Sequence, residues 1–309
     1  MEIKNVTIIG GGVLGSQIGF QTAYKGYNVK FYMRSEGTIT RTKPKIERLY
    51  GIYMQTLEAG KSGGHVGRGL ADDPKTADFN ALLHNVDTAY DSLVYEMDLG
   101  KALADADLVI EALAEDLNQK IEFYEKAKPL FAPKTIVATN SSTLLPSVIA
   151  PHTGRPEKFM ALHFANNIWE NNTAEIMGHA GTDPDVYKIV SAFAKSIGMV
   201  PLELHKEQPG YILNTMLVPF LHAAEGLWAN EVADPQTIDL TWKLATGAPF
   251  GPFQILDVVG ITTAYNIMAA TPAAKNPDSV EYKIVTRLKE MIDAGKLGVN
   301  AGEGFYKYK

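Results

Sequence analysis

Short apolar runs alternate with amphipathic stretches over the first two thirds of the chain. The runs lie at Val6–Ile9, Val29–Met33, Ala106–Leu113, Lys134–Asn140 and Lys158–Phe164. Helical patterns lie at Val13–Tyr24 and Asn118–Leu130. Continuous apolar runs are typical of strands buried on both faces, and strands that alternate with helices indicate a parallel sheet. We therefore predict an α/β fold built on a doubly wound, mainly parallel sheet.

Two segments depart from this rhythm. Residues 38–98 form an excursion, in which 41–61 have a helical pattern and 62–74 are rich in loop residues. From Tyr211 onward, apolar positions recur only at helical spacing. We therefore predict a dinucleotide-binding domain at 1–203, with the helical excursion at about 38–98. An all-helical C-terminal domain at 204–309 would bind substrate and form dimers.

Composition narrows the class of protein. The 309 residues are 46% hydrophobic and 21% charged, which is ordinary for a soluble protein of two domains. A net charge of -6 favours neither nucleic acid nor an anionic membrane as a partner. No cysteine is present, which excludes disulfides, thiolate metal sites and a cysteine nucleophile, and we expect no metal. The first strand begins at about Lys4, which leaves no room for a signal peptide, so a cytoplasmic location is expected.

A glycine-rich loop follows the first predicted strand. Gly10, Gly12 and Gly15 have the G-x-G-x-x-G spacing and lead directly into a predicted helix. This context is typical of a dinucleotide site, with phosphates at the helix N-terminus and Val13 and Leu14 inside the loop. The alternative is a tight strand-to-helix turn without a ligand.

The second predicted strand lacks the residue that usually follows such a loop. An acidic side chain about 20 residues after the glycines normally bonds the adenosine ribose. Here the chain has Met33, Arg34 and Ser35. A guanidinium suits a 2′-phosphate, so the cofactor is NAD or NADP, with NADP favoured. Alternatively, Arg34 is a plain surface residue and Glu36 or backbone groups serve the ribose.

One histidine is placed for chemistry. His163 ends an apolar strand, and ligands of open α/β sheets bind beyond the carboxyl ends of strands. Glu175 lies in a short apolar segment that could pair beside that strand. An imidazole oriented by a carboxylate is a common general acid and base. The pattern alone leaves a structural histidine and a surface glutamate equally open.

Several motifs, in order, resemble the 3-hydroxyacyl-CoA dehydrogenase family. They are "GGGVLGSQIG", "DLVIEALAEDLNQK", "ATNSSTL", "HFANNIWENNTAEIM", "QPGYILNTMLVPFLHAAEGL", "GAPFGPFQILDVVG" and "GKLGVNAGEGFYKYK". The resemblance covers almost the whole chain and is weak at 38–98. It implies a Rossmann-type domain, a helical domain, and an NAD(P)-dependent enzyme that acts on a short L-3-hydroxyacyl-CoA, similar to 3-hydroxybutyryl-CoA dehydrogenases. It also implies a homodimer.

The resemblance assigns roles to individual residues. His163 would be the general base at the 3-hydroxyl, and Glu175 would hold its imidazole. Ser142 would bond the reacting oxygen, and Asn214 would complete the site from the helical domain. The implied cofactor contacts are Glu115, Lys120 and Asn140. On the residues alone, Ser142 could instead cap a helix and Asn214 could be polar packing.

The chain also departs from the family. "HFANNIWENN" stands where the family usually has "HFFNP", and Ala165, Asn167 and Glu170 change the lip beside the acyl group. A smaller or different substrate is possible, such as a free 3-hydroxy acid without CoA. A non-catalytic dinucleotide-binding protein is the other alternative. Basic residues of the excursion could meet CoA phosphates or form a solvated face: Lys43, Lys45, Arg48, Lys61 and Arg68.

Overall fold

The first part of the chain folds around one eight-stranded sheet. The computed structural model describes residues 1–308. The strands are β1 (Asn5–Ile9), β2 (Asn28–Tyr32), β3 (Val94–Glu96), β4 (Leu108–Glu111), β5 (Ile136–Thr139), β6 (Phe159–Phe164), β7 (Thr173–Met177) and β8 (Val200–Leu204). Their order is β3-β2-β1-β4-β5-β6-β7-β8, and every neighbouring pair is parallel except β6 and β7. The predicted fold class, a doubly wound and mainly parallel sheet, is confirmed.

Helices cover the sheet, which explains why its central strands are apolar throughout. Every residue of β4, β5 and β6 is buried. The helices of this part are α1 (Val13–Tyr24), α2 (Glu36–Lys61), α3 (Phe79–Ser92), α4 (Leu99–Leu103), α5 (Leu117–Ala127), α6 (Pro146–Ile149) and α7 (Pro184–Ser196).

The excursion at 38–98 returns to the sheet. It contributes most of α2, all of α3, and β3, which pairs in parallel with β2 at the sheet edge. The Asp78 side chain caps α3 by accepting hydrogen bonds from the backbone of Asn80 and Ala81. Strand β3 has three residues, too few for an alternating pattern to stand out in the sequence.

The rest of the chain is helical, as predicted. Its helices are α8 (Tyr211–Ala229), α9 (Pro235–Thr246), α10 (Pro252–Val259), α11 (Ile261–Ala269) and α12 (Val280–Asp293). Contacts divide the chain into two units, Met1–Ile212 and the part from Leu213 onward, so α8 begins in the first unit. The second unit has its own core, which includes Phe253, Leu256, Ile261 and Leu288. The domain limits drawn from the sequence stay a prediction.

No helix among residues 1–308 is both long and apolar enough to cross a membrane.

The topology gathers polar groups at one edge of the sheet. Strands β1, β4, β5 and β6 run parallel, so their carboxyl ends lie at the same edge. These ends carry the glycine loop, Glu111, Thr139 and His163. Strand β7 runs the opposite way and brings Glu175 directly beside His163.

Candidate active site

The glycine loop combines close packing with open space. Gly10 has φ +103°, and a Cβ there would lie 2.9 Å from the backbone oxygen of Ala112. A Cβ on Gly15 would lie 2.2 Å from the backbone oxygen of Gly10. A Cβ on Gly12 would meet no atom within 4 Å, and Gly12 begins α1 without a side-chain cap. An approachable backbone at an uncapped helix N-terminus fits the pyrophosphate of a dinucleotide.

The loop side chains and the end of β2 differ in exposure. Val13 is 62% exposed and Leu14 is half-buried. Met33 is fully buried, and its Sδ lies 3.9 Å from the Thr42 hydroxyl, which also bonds the backbone oxygen of Gly11. Met33 therefore packs between α2 and the glycine loop and offers no side-chain atom to solvent.

Arg34 and Ser35 are the exposed side chains of the same segment. Ser35 is the residue before α2, and its hydroxyl lies 3.1 Å from that of Thr38. The Arg41 guanidinium donates to Thr38 Oγ1 at 3.4 Å. Two guanidinium groups and two hydroxyls thus lie within one and a half turns of the N-terminus of α2.

His163, Glu175 and Ser142 form one hydrogen-bonded group. Nδ1 of His163 lies 3.0 Å from Glu175 Oε2, and Nε2 lies 3.1 Å from Ser142 Oγ. His163 and Glu175 are directly opposite each other in the β6–β7 pair, and both are buried. When Glu175 is ionised and the imidazole is neutral, Nδ1 carries the proton, because a carboxylate only accepts hydrogen bonds, and the Nε2 lone pair faces the Ser142 hydroxyl. This group can exchange a proton at Nε2.

Glu115 holds the loop that carries Ser142. Its Oε1 accepts hydrogen bonds from Ser141 Oγ at 2.5 Å and from the backbone and hydroxyl of Thr143, both at 2.7 Å. Burial acts to raise the pKa of Glu115, but the bonds from Ser141 and Thr143 outweigh it and lower that pKa. Glu115 therefore stays ionised and contacts the residues on both sides of Ser142.

Lys120 lies in the interior. Its side chain is 1% exposed, and its ammonium lies 2.6 Å from Glu111 Oε1. Glu111 also accepts from the backbone of Leu113 at 2.7 Å, from Thr139 at 2.8 Å and from Tyr124 at 3.3 Å. The signal for Glu111 was present in the sequence, because a charge within an apolar strand needs a buried partner.

Asn140 and Asn214 occupy different units. The Asn140 side-chain oxygen accepts from the backbone N–H of Phe164 at 3.0 Å, which ties the ends of β5 and β6 together. Asn214 lies in α8, in the second unit. The predicted roles of both residues, and those of Glu115 and Lys120 toward a cofactor, stay predictions.

Two further residues, Tyr211 and Ile212, touch the group around His163. The Tyr211 ring stacks on the imidazole, with ring centroids 4.4 Å apart. The backbone N–H of Ile212 donates to Glu175 Oε1 at 2.9 Å. Both lie more than thirty residues along the chain from their partners, so no short-range pattern predicts these contacts.

Comparisons with known proteins identify the family. The model of the 3-hydroxyacyl-CoA dehydrogenase NAD-binding domain matches residues 5–208, and that of the C-terminal domain of the same family matches 210–308. The chain belongs to the 3-hydroxyacyl-CoA dehydrogenase family. It is therefore an oxidoreductase with a nicotinamide-dinucleotide-binding domain, and its reaction is a hydride transfer.

The relatives of this chain include hydroxyacyl-CoA dehydrogenases and a diketoreductase. The mitochondrial hydroxyacyl-coenzyme A dehydrogenase of Rattus norvegicus is 31% identical over 307 residues, 99% of this chain and 92% of that protein. A probable 3-hydroxybutyryl-CoA dehydrogenase of Deinococcus radiodurans is 30% identical, over 97% of this chain and 99% of that protein. A solved diketoreductase, described as catalysing reactions of dicarbonyl compounds, is 46% identical, with a TM-score of 0.88 and full coverage of both chains.

The lip that departs from the family motif is held from two sides. Gln17, in α1, accepts hydrogen bonds from the backbone N–H of Asn167 at 2.8 Å and of Ile168 at 3.3 Å. His65 Nε2 lies 2.6 Å from Glu170 Oε1, and Arg68 donates to the Glu170 backbone oxygen at 3.1 Å. Glu170 therefore joins the 62–74 loop to the segment that follows His163.

Proposed function

We propose that this enzyme oxidises a short L-3-hydroxyacyl-CoA, or reduces the 3-oxoacyl-CoA, with His163 as general base and acid. The observation that carries the proposal is the placement of His163 Nε2 3.1 Å from the Ser142 hydroxyl, with Glu175 on the other ring nitrogen. The names of the curated relatives support the substrate class.

The three residues divide the work at the reacting oxygen. When bound, a nicotinamide cofactor would supply the hydride chemistry at C3. During oxidation, Nε2 of His163 takes the hydroxyl proton, and Glu175 stabilises the imidazolium that forms. During reduction, Ser142 donates to the oxygen on which charge develops, and His163 returns the proton. Burial of His163 and Glu175 strengthens both effects, because little water screens them.

The test is acetoacetyl-CoA reduction by wild type and by His163→Ala. We expect kcat/KM to fall by about 10²–10⁴-fold, which is typical when a general base is lost. His84→Ala is the matched control, because His84 is exposed on α3 and should leave the rate unchanged. No turnover of any acyl-CoA by wild type would exclude the substrate class. A loss below tenfold in His163→Ala would exclude the base assignment.

A second candidate function is hydride transfer to a β-dicarbonyl compound, or from a 3-hydroxy acid, that is not linked to CoA. The diketoreductase shares 46% of its residues with this chain, against 31% for the rat acyl-CoA enzyme. Most basic side chains of the excursion are also engaged within the chain: Lys45 with the Arg41 carbonyl, Lys61 with Glu58, Arg68 with Glu170 and Lys43 above the Tyr95 ring. They are then less available to CoA phosphates.

The same assay separates the two candidates. Acetoacetyl-CoA is compared with acetoacetate and with a neutral 1,3-diketone, and free CoA is added as a competitor. Preference for the thioester with inhibition by CoA supports the first candidate. Preference for the free dicarbonyl compounds without CoA inhibition supports the second.

We propose NADP as the preferred cofactor. Arg34 and Ser35 are exposed at the end of β2, Arg41 lies one to two turns further on, and Met33 brings no carboxylate that would repel a 2′-phosphate. We expect Arg34→Ala to lower kcat/KM for NADPH more than for NADH, while Lys188→Ala, which removes an exposed cation of α7, changes neither. Strong preference of wild type for NADH would refute this proposal.

We also propose that the protein is a homodimer formed through the second unit. Large apolar side chains are exposed there, among them Met216, Leu240, Leu244 and Phe250. Exposed apolar side chains that lie together commonly mark a protein interface. Sedimentation equilibrium would return the mass of a dimer, and Leu244→Lys should shift it toward the monomer. The cytoplasmic location stays a prediction, since some relatives are named mitochondrial.

A further inference from the structure

Tyr211 has an unusual backbone conformation next to His163. Its φ is +55°, and the preceding Gly210 has φ +80°. Positive φ is uncommon outside glycine and is a true outlier for a bulky side chain. Strained residues persist where surrounding contacts hold them, and they cluster at functional sites.

The Tyr211 ring covers one face of the His163 imidazole. The ring centroids are 4.4 Å apart, the planes differ by 17°, and Tyr211 is 1% exposed. Glu175 and Ser142 bind the two nitrogens at the edge of the imidazole, and these bonds leave it free to tilt about the line between them. A stacked ring removes that tilt. The three contacts together define the plane and the direction of the Nε2 lone pair.

The Tyr211 hydroxyl contacts the loop of Ser142. It donates to the backbone oxygen of Ser141 at 2.7 Å, in the interior of the protein. Burial, and then the carboxylates of Glu115, Glu175 and Glu111, raise the pKa of this phenol far above its usual range, so it stays a donor. The hydroxyl therefore fixes the residue that precedes Ser142.

The backbone turn at Tyr211 also reaches Glu175. The N–H of Tyr211 bonds the Gln208 oxygen at 3.0 Å, and the next N–H, that of Ile212, donates to Glu175 Oε1 at 2.9 Å. One short segment thus contacts the imidazole, its carboxylate and the serine loop. The strained φ places ring, hydroxyl and the following N–H on three partners at once.

We propose that Tyr211 is a positioning residue for proton transfer: it holds the His163 imidazole and the Ser142 loop in the geometry that the reaction needs. The inference rests on the proposed function of His163. Tyr211 itself transfers no proton, because its phenol remains protonated. Hydrophobic packing alone would not require the hydroxyl, the stack and the turn to converge on one group.

The test compares Tyr211→Phe, which keeps the ring, with Tyr211→Leu, which removes it. We expect kcat to fall by about tenfold in the first and by about 10²-fold in the second, the loss that small misplacement of a catalytic group produces. The dissociation constant for the reduced cofactor should not change, and the pH midpoint that reports His163 should shift in Tyr211→Leu. Tyr24→Phe is the control, because its buried hydroxyl also donates to a backbone oxygen, that of Leu70 in the 62–74 loop, at 2.8 Å.

A second readout does not depend on turnover. The ¹⁵N resonances of the His163 imidazole are assigned by comparison with His163→Gln and titrated in wild type and both variants. Altered titration in Tyr211→Leu supports positioning. Wild-type kcat and wild-type titration in both variants overturn it. If wild type turns over no substrate, the proposed function fails, and the titration alone decides on Tyr211. If Tyr211→Leu does not fold, unchanged kcat and titration in Tyr211→Phe overturn the inference.

Discussion

Glu225 should make the stability of the helical unit depend on pH. This glutamate lies in α8, is 3% exposed, and its Oε1 has no hydrogen-bond partner among the described residues. Burial raises its pKa from an ordinary 4.5 to about 8. The folded state therefore keeps a proton that the unfolded chain releases above pH 4.5. The contribution of this bound proton to the free energy of unfolding is complete below pH 4.5 and is lost as the pH rises to about 8.

The size of the effect follows from the width of that window. Each pH unit between the two pKa values lowers the free energy of unfolding by about 1.4 kcal/mol, so the whole window costs about 3–5 kcal/mol. Glu225→Gln resembles the protonated acid in shape and does not titrate. The variant should match wild type at pH 5 and exceed its stability by about 3–5 kcal/mol at pH 9.

Urea unfolding followed by tryptophan fluorescence can isolate the second unit. The chain has three tryptophans, and Trp169→Phe leaves Trp228 and Trp242, which both lie in that unit. Glu290→Gln is the matched control, since Glu290 is exposed on α12. Equal pH dependence in wild type and Glu225→Gln would refute the reasoning, because it would mean that Glu225 has a partner or is hydrated in solution.

Three further predictions concern the nucleotide-binding unit. Gly15→Ala places a Cβ 2.2 Å from the Gly10 oxygen and should destabilise the protein by about 1–3 kcal/mol or more, as measured by thermal unfolding. Gly12→Ala meets no atom within 4 Å and should keep the melting temperature while weakening cofactor binding by about tenfold or more in calorimetric titration; unchanged affinity would contradict the predicted pyrophosphate contact. Glu111→Gln leaves the Lys120 ammonium buried without its carboxylate and should cost about 3–5 kcal/mol, whereas Glu111→Gln with Lys120→Met should recover much of it; equal losses in the single and double variants would argue against the ion pair.

The sequence indicated those parts of the candidate site whose residues lie in short-range patterns. The glycine spacing, the apolar strand that ends at His163 and the short segment around Glu175 all lie within a few residues of their own signals. The register of β6 and β7 then places His163 and Glu175 side by side. Their distance of 3.0 Å and the contact with Ser142 needed three separate elements to meet.

The burial of the Met33 side chain could not be predicted from the sequence. Its place after the second strand, counted from the glycines, predicts a residue at the cofactor, and that stays a prediction. In the structure α2 lies over the end of β2, and Thr42 covers the Met33 side chain. Burial at that position depends on where a helix from the excursion packs, and the strand itself carries no information about it.

Neighbouring positions in the sequence were enough to predict five strands, the helices that alternate with them, the glycine loop and the helical character of the last hundred residues, because hydrophobic period and glycine spacing are local properties. The packing of whole elements sets the pairing of Lys120 with Glu111 in the interior, the place of β3 at the sheet edge, and the stacking of Tyr211 on His163. Each of these contacts joins residues from different elements. The side chains that meet in such contacts depend on how whole elements pack. A periodic pattern indicates which face of an element is buried, but it does not indicate which element packs against that face.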